Sequence, residues 1–125
     1  NYSFPEEVEA RIRREVAPHH LLRSAAMQSS NLQTGPADGS MKDADLVLGQ
    51  PDPELLCSSS RIRWVHLTSA GYERYDNAEV RSALGRRGTP LTTSSTVYAD
   101  PCAQHLLAFL FAGARRFGDA VSEQR

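Results

Sequence analysis

The sequence predicts a three-layer α/β domain built on a five-stranded parallel sheet whose first strand is truncated, and three observations predict it. Short apolar runs rich in β-branched and aromatic residues, above all Ile62-Arg63-Trp64-Val65-His66-Leu67, alternate along the chain with stretches of helical character. Asp followed by Pro, an N-cap with proline at the first helical position, opens two of those stretches, at Asp52-Pro53 and Asp100-Pro101. The 125 residues, 40% hydrophobic and 23% charged, suffice for one core and not for two. Strands that alternate with helices call for a parallel sheet covered on both faces.

The elements follow in order. Asn1-Tyr2-Ser3-Phe4 has the character of the end of a strand, shorter than strands ordinarily are. Ser3-Phe4-Pro5-Glu6 reads as a capping box, and a helix runs from there to about Ala17 with Val8, Ile12 and Val16 as its core stripe. Glu7 with Arg11 and Glu9 with Arg13 are i, i+4 pairs on its wet faces. Residues 20–25 read as a second strand, and residues 28–40, rich in Ser, Asn, Gln, Gly and Pro, as a surface loop with room for one helical turn. A third strand spans 44–49, a short helix follows Asp52, and the fourth, central strand is 62–67. After a turn at 72–75, Asp76 or Asn77 caps a helix that ends near Gly88. Residues 90–93 form the fifth strand, residues 94–99 a loop, and the last helix runs from Asp100 to about Phe117 with Gly118 as its stop. Leu106-Leu107-Ala108-Phe109-Leu110-Phe111 is apolar on every face, so that helix calls for a second domain or another subunit.

Composition excludes several function classes. Fourteen Lys and Arg against fifteen Asp and Glu give a net charge of −1, with no basic stripe for nucleic acid or an anionic membrane. Cys57 and Cys102 match no zinc spacing and read as free thiols of a reducing compartment, hence a cytoplasmic location. The charged start lacks a signal-peptide core, and the longest apolar run is too short for a bilayer.

With five strands the sheet is doubly wound and flavodoxin-like, an architecture that gathers ligands outside the carboxyl ends of its strands. Those ends are Gly49-Gln50-Pro51, Thr68-Ser69-Ala70-Gly71 and the stretch from Ser94 to Tyr98, expected to converge on one crevice. A backbone leaving a strand through Ser69-Ala70-Gly71 can turn its N–H groups outward with little side chain in the way, a concavity suited to a carboxylate or phosphate. Thr68 to Gly71 has half of a nucleophile elbow, but Leu67 stands where the leading glycine belongs. His66 and His105 lie among apolar neighbours and read as structural. No His, Cys and carboxylate cluster has metal-ligand spacing, and Gly113 to Gly118 is not a dinucleotide fingerprint.

The ordered set ADLVLGQPDPELL, RIRWVHLTSAGYERYD and PLTTSSTVYADPCAQHLLAFLFAGARRF resembles the N-terminal substrate-binding domain of the D-isomer-specific 2-hydroxyacid dehydrogenases. The resemblance covers residues 44–117. It implies that residues 1–100 form the substrate domain and residues 101–125 a hinge helix leading to a Rossmann domain for NAD or NADP beyond this chain. It implies an oxidoreductase that passes a hydride between that nucleotide and a 2-oxo or D-2-hydroxy acid, working as a homodimer. Ser69, Ala70 and Gly71 match the family's carboxylate-holding loop, with Gln50, Pro51 and Tyr98 as pocket-wall candidates. Ala103-Gln104-His105 matches a hinge pattern usually written Ala-Glu-His, from which Gln104 departs. The family's catalytic Arg, His and Glu belong to the absent part, so no catalytic residue falls within these 125 residues, and the piece is expected to bind no cofactor and to be silent alone. The rival expectation is a stand-alone flavodoxin-like binding or interaction module without redox chemistry.

Overall fold

The computed structural model describes residues 4–24 and 38–124. The chain divides into two compact units, Asn1–Ser94 and Ser95–Arg125.

The first unit holds a parallel sheet of three strands, β1 (Leu46–Gly49), β2 (Trp64–Leu67) and β3 (Leu91–Thr93), in the order β1-β2-β3. The register sets Leu46 opposite Trp64 and Gly49 opposite Leu67, and on the other side of β2 sets Val65 opposite Leu91 and Leu67 opposite Thr93. Two helices connect the strands, α2 (Pro53–Ser58) and α3 (Ala78–Arg87); α1 (Glu6–Glu15) precedes the sheet. Short 3₁₀ turns stand at Gly39–Asp43 and Glu73–Tyr75.

This corrects the five-stranded expectation. The predicted first strand falls largely on residues 1–3, outside the described residues, and Phe4 is not in a strand. The predicted second strand does not form over its described part, residues 20–24. Its two leucines, Leu21 and Leu22, are adjacent instead of alternating, so an extended chain would point them to opposite faces. Leu22 remains 54% exposed, and Arg23 turns to Glu9, 3.1 Å away. Glu9 also takes the expected i+4 pair with Arg13 at 2.7 Å. Helix α1 starts behind Pro5 without a side-chain cap, and none of its residues is buried.

The caps at α2 and α3 are those the sequence signals. Asp52 accepts from the Glu54 and Leu55 amides, and Asn77 from the Val80 amide at 3.0 Å. Gly88 ends α3 in the left-handed region at φ 63°, a conformation that a Cβ disfavours. Arg87, in the last turn of α3, donates to the carbonyls of Leu56 (2.9 Å) and Cys57 (3.0 Å), satisfying the end of α2 with a cation.

The core lies on one side of the sheet. Leu56 of α2, Ile62, Val65 and Leu67 around β2, Tyr75, and Val80 and Leu84 of α3 form one buried cluster, with Val47 and Leu91 against it. Each fully buried Leu, Ile or Val contributes about 1.5–3 kcal/mol. Helices α2 and α3 pack on each other, so both connections cover the same face. The other face carries Leu46 (61% exposed), Leu48 (52%) and Trp64 (42%). The doubly wound expectation, with helices on both faces, fails for this reason.

The second unit is a helical pair, α4 (Ser95–Ala114) and α5 (Phe117–Glu123). Helix α4 begins five residues before the expected Asp100, so Pro101 lies inside it and the predicted loop 94–99 is mostly helix. The break comes at Arg116, at φ 49°, and Gly118 lies within α5 instead of ending α4. Among the described residues no helix is long and apolar enough to cross a membrane.

Two glycines of α3 give opposite expectations. Gly88→Ala should destabilise the chain by about 1 kcal/mol, because it forces a Cβ into the left-handed region. Gly85→Ala, at an exposed interior position where the new methyl meets nothing within 4 Å, should stabilise by roughly 0.5–1 kcal/mol. Urea denaturation of both variants checks the pair of signs.

Candidate functional site

The carboxyl ends of the three strands meet through hydrogen bonds. Gly49 closes β1 at φ 133°, outside the range of other residues, and turns the chain into Gln50. Gln50 Nε2 then donates to Ser69 Oγ at 2.9 Å, tying the end of β1 to the turn after β2. Ser69 Oγ donates in turn to the Gly71 carbonyl at 2.6 Å, and Ser94 at the end of β3 donates its amide to the Ser69 carbonyl at 3.0 Å.

Tyr75 supports this arrangement from below, and sequence reading missed it by treating 72–75 only as a turn. It is 3% exposed, and its hydroxyl donates to the Pro51 carbonyl at 2.8 Å. Gln50 Oε1 lies 3.5 Å from the same hydroxyl. Burial pushes the Tyr75 phenol up to about 12, with Asp52 adding to the rise and Arg74 opposing it. An aromatic placed four residues after the glycine of a strand-end turn was the available signal.

Of the predicted site residues, Gln50, Pro51, Ser69 and Gly71 are thus brought together, with Ala70 between the last two in the same turn. Pro51 is buried, and its contribution is a carbonyl held by Tyr75 rather than a surface of pocket wall. Tyr98 lies on α4, in the second unit, 36% exposed. The side chain of Glu73 folds over Gly71, where an added Cβ would stand 2.7 Å from Glu73 Oε2. A carboxylate therefore stands beside the turn expected to receive one.

His66 is not the core histidine expected from its apolar neighbours. It projects on the sheet face away from the helices, between two hydroxyls of the neighbouring β3 segment: Nδ1 lies 2.8 Å from Thr92 Oγ1 and Nε2 3.1 Å from Ser94 Oγ. Ser94 Oγ donates to the Leu67 carbonyl at 3.0 Å and Thr92 Oγ1 to the Val65 carbonyl at 3.4 Å, and the tautomer of the ring sets the direction of the two histidine contacts. Trp64 Nε1 donates to the same Thr92 oxygen at 2.9 Å. The run Trp64, Thr92, His66, Ser94 is a hydrogen-bonded ladder across the exposed sheet face, directed toward the end of β2. His105, on α4, stands edge-on to Phe109 at 4.4 Å.

Cys57 and Cys102 are free thiols, and burial raises the pKa of Cys57 above the ordinary thiol value. Among the described residues no group of three or more His, Cys, Asp or Glu side chains could hold a metal ion. No family model, curated protein or solved structure matches the chain.

The raised Tyr75 pKa carries a pH dependence with a defined sign. The folded chain holds the phenol protonated while the unfolded chain releases it near pH 10, so this contribution is complete below pH 10 and is lost as pH rises through about 12. It amounts to about 3 kcal/mol. Wild type should lose more stability than Tyr75→Phe between pH 10 and 12 in denaturation measured at each pH; parallel profiles would show that Tyr75 ionises freely in the fold.

Proposed function

We propose that the chain is the substrate-holding part of an NAD(P)-dependent D-2-hydroxyacid dehydrogenase, with the turn 69–71 as the seat of the substrate carboxylate. The observation that carries the reading is the hydrogen bond from Gln50 to Ser69, which joins two of the segments named from the sequence into one corner at the strand ends. Small residues there leave the backbone of the turn as the principal recognition surface. The oxoacid carboxylate would lie against the amides of Ser69, Ala70 and Gly71, an uncharged but polar seat of the kind that backbone dipoles provide. Gln50, held by Ser69 and near the Tyr75 hydroxyl, would line the approach.

In the reaction so proposed, a nicotinamide held by residues other than these 125 would supply the hydride chemistry at the substrate C2, and the acid/base histidine would likewise come from outside these residues. This chain's share is to anchor the carboxylate and to shield one side of the reacting carbon from water. Alone it has no reaction to perform. Full-length action as a homodimer in the cytoplasm belongs to the same proposal. The second reading, an interaction module without redox chemistry, draws its support from the apolar, exposed helix α4.

Titration of the ¹⁵N-labelled chain with pyruvate and other 2-oxo acids tests the assignment. Saturable amide shifts centred on residues 69–71 are expected, with no response to NADH; shifts confined to other positions, or none at millimolar acid, would overturn it. Glu73→Gln removes the negative charge beside the turn and should tighten oxoacid binding roughly two- to fivefold. An unchanged or weaker affinity would place the anion elsewhere.

A further inference from the structure

Paired arginines occur three times in the chain, at Arg13-Arg14, Arg86-Arg87 and Arg115-Arg116, and the fold treats the three pairs differently. Arg86 and Arg87 end α3, and the Arg87 guanidinium is committed to the Leu56 and Cys57 carbonyls of the packed unit. Arg13 and Arg14 lie inside α1, with Arg13 on Glu9 at 2.7 Å and Arg14 3.5 Å from Glu15, the residue that follows it. Arg115 and Arg116 stand between α4 and α5, in neither helix, and the Arg116 side chain is 81% exposed. Arg116 also holds the left-handed backbone conformation, which a Cβ disfavours.

The chain around this third pair opens at little cost. Helix α5 has seven residues, none of them buried, no side-chain cap at its N-terminus and Gly118 in its first turn. Every residue from Gly113 to Gln124 is exposed. Unwinding that first turn gives up the bonds from the Asp119 and Ala120 amides to the Arg116 carbonyl and the Arg116–Asp119 ion pair, but no core. In the first unit, by contrast, Arg61, Arg63 and Arg74 border the buried Ile62 and Tyr75, so drawing them out into the extended form that a protease cleft requires would open the core. We propose that Arg115-Arg116 is a processing site, cut after Arg116 by an endoprotease of trypsin-like specificity, whose acidic pocket takes the guanidinium. In that step the oxygen of water adds to the Arg116 carbonyl carbon and the bond to the Phe117 nitrogen breaks. Arg116 keeps a carboxylate and Phe117 leaves with an ammonium group. The cut parts α5 from α4 and leaves the first unit whole. It is independent of the carboxylate reading, since it uses no residue of that site.

Limited digestion of the whole chain with trypsin, read by intact mass at successive times, tests it. The first products should be residues 1–116 and 117–125, formed about tenfold faster than any other, because cleavage follows the population of the locally opened form. The double variant R115Q/R116Q should lose this cut while its far-UV circular dichroism stays that of wild type. Gly118→Ala, which firms α5 without touching either arginine and whose methyl meets nothing within 4 Å, should slow the cut about fivefold. A first product ending at any residue other than Arg116, such as Arg14 or Lys42, or a rate unmoved by Gly118→Ala, would overturn the proposal.

Discussion

The position of β2 between β1 and β3, with both connecting helices on one side of it, is the constraint from which the rest of the first unit follows. A parallel connection must cross over the sheet. Here α2 and α3 cross on the same face and pack on each other, so the cluster of Leu56, Ile62, Val65, Leu67, Val80 and Leu84 can close only there. The strand period of two does the rest. Val65 and Leu67 go in, while Trp64 and His66 go out, together with Leu46 and Leu48 on β1. The Arg87 cation on the Leu56 and Cys57 carbonyls fastens the two helix ends on the covered side.

The same constraint shapes the candidate site. Three parallel strands end on one edge, so Gln50, Ser69 and Ser94 become neighbours although they are far apart in sequence. Tyr75 then fixes the floor of that corner by satisfying the Pro51 carbonyl from a buried position. Burial of the phenol is tolerable because its hydroxyl has that partner; an unsatisfied hydroxyl there would cost about 1–3 kcal/mol. A polar corner on a rigid edge suits recognition of a small anion better than it suits bond-breaking chemistry. No nucleophile with its base and acid is assembled at it among the described residues.

What the sequence disclosed and what it withheld differ by the range of the forces involved. Caps are local: Asp52-Pro53 and Asn77 with Gly88 could be placed because the hydrogen bonds that define them span two to four residues. The central strand was legible from Ile62 to Leu67 by its length and composition. Its exposed face was not, because Trp64 and His66 share the apolar look of buried positions, and only the placement of the crossovers decides which side is covered. The run 20–25 has strand composition without strand alternation, and its described part forms no strand. Pro101 suggested a helix start, yet α4 extends past it toward Ser95, and Arg116 makes the left-handed break expected of a glycine. At the site, Gln50, Ser69 and Gly71 could be named from strand ends, whereas Tyr75 and Glu73 could not, since their roles rest on tertiary placement.

The central claim is that the turn after β2 seats a carboxylate by its backbone, with Gln50 and Ser69 holding the corner in shape. A crystal structure of the chain grown with a 2-oxo acid tests it most directly. The account predicts the acid's carboxylate within hydrogen-bonding distance of the amides of residues 69–71, with the Glu73 side chain moved off Gly71. A carboxylate bound elsewhere, or a turn still covered by Glu73 at saturating acid, would contradict it.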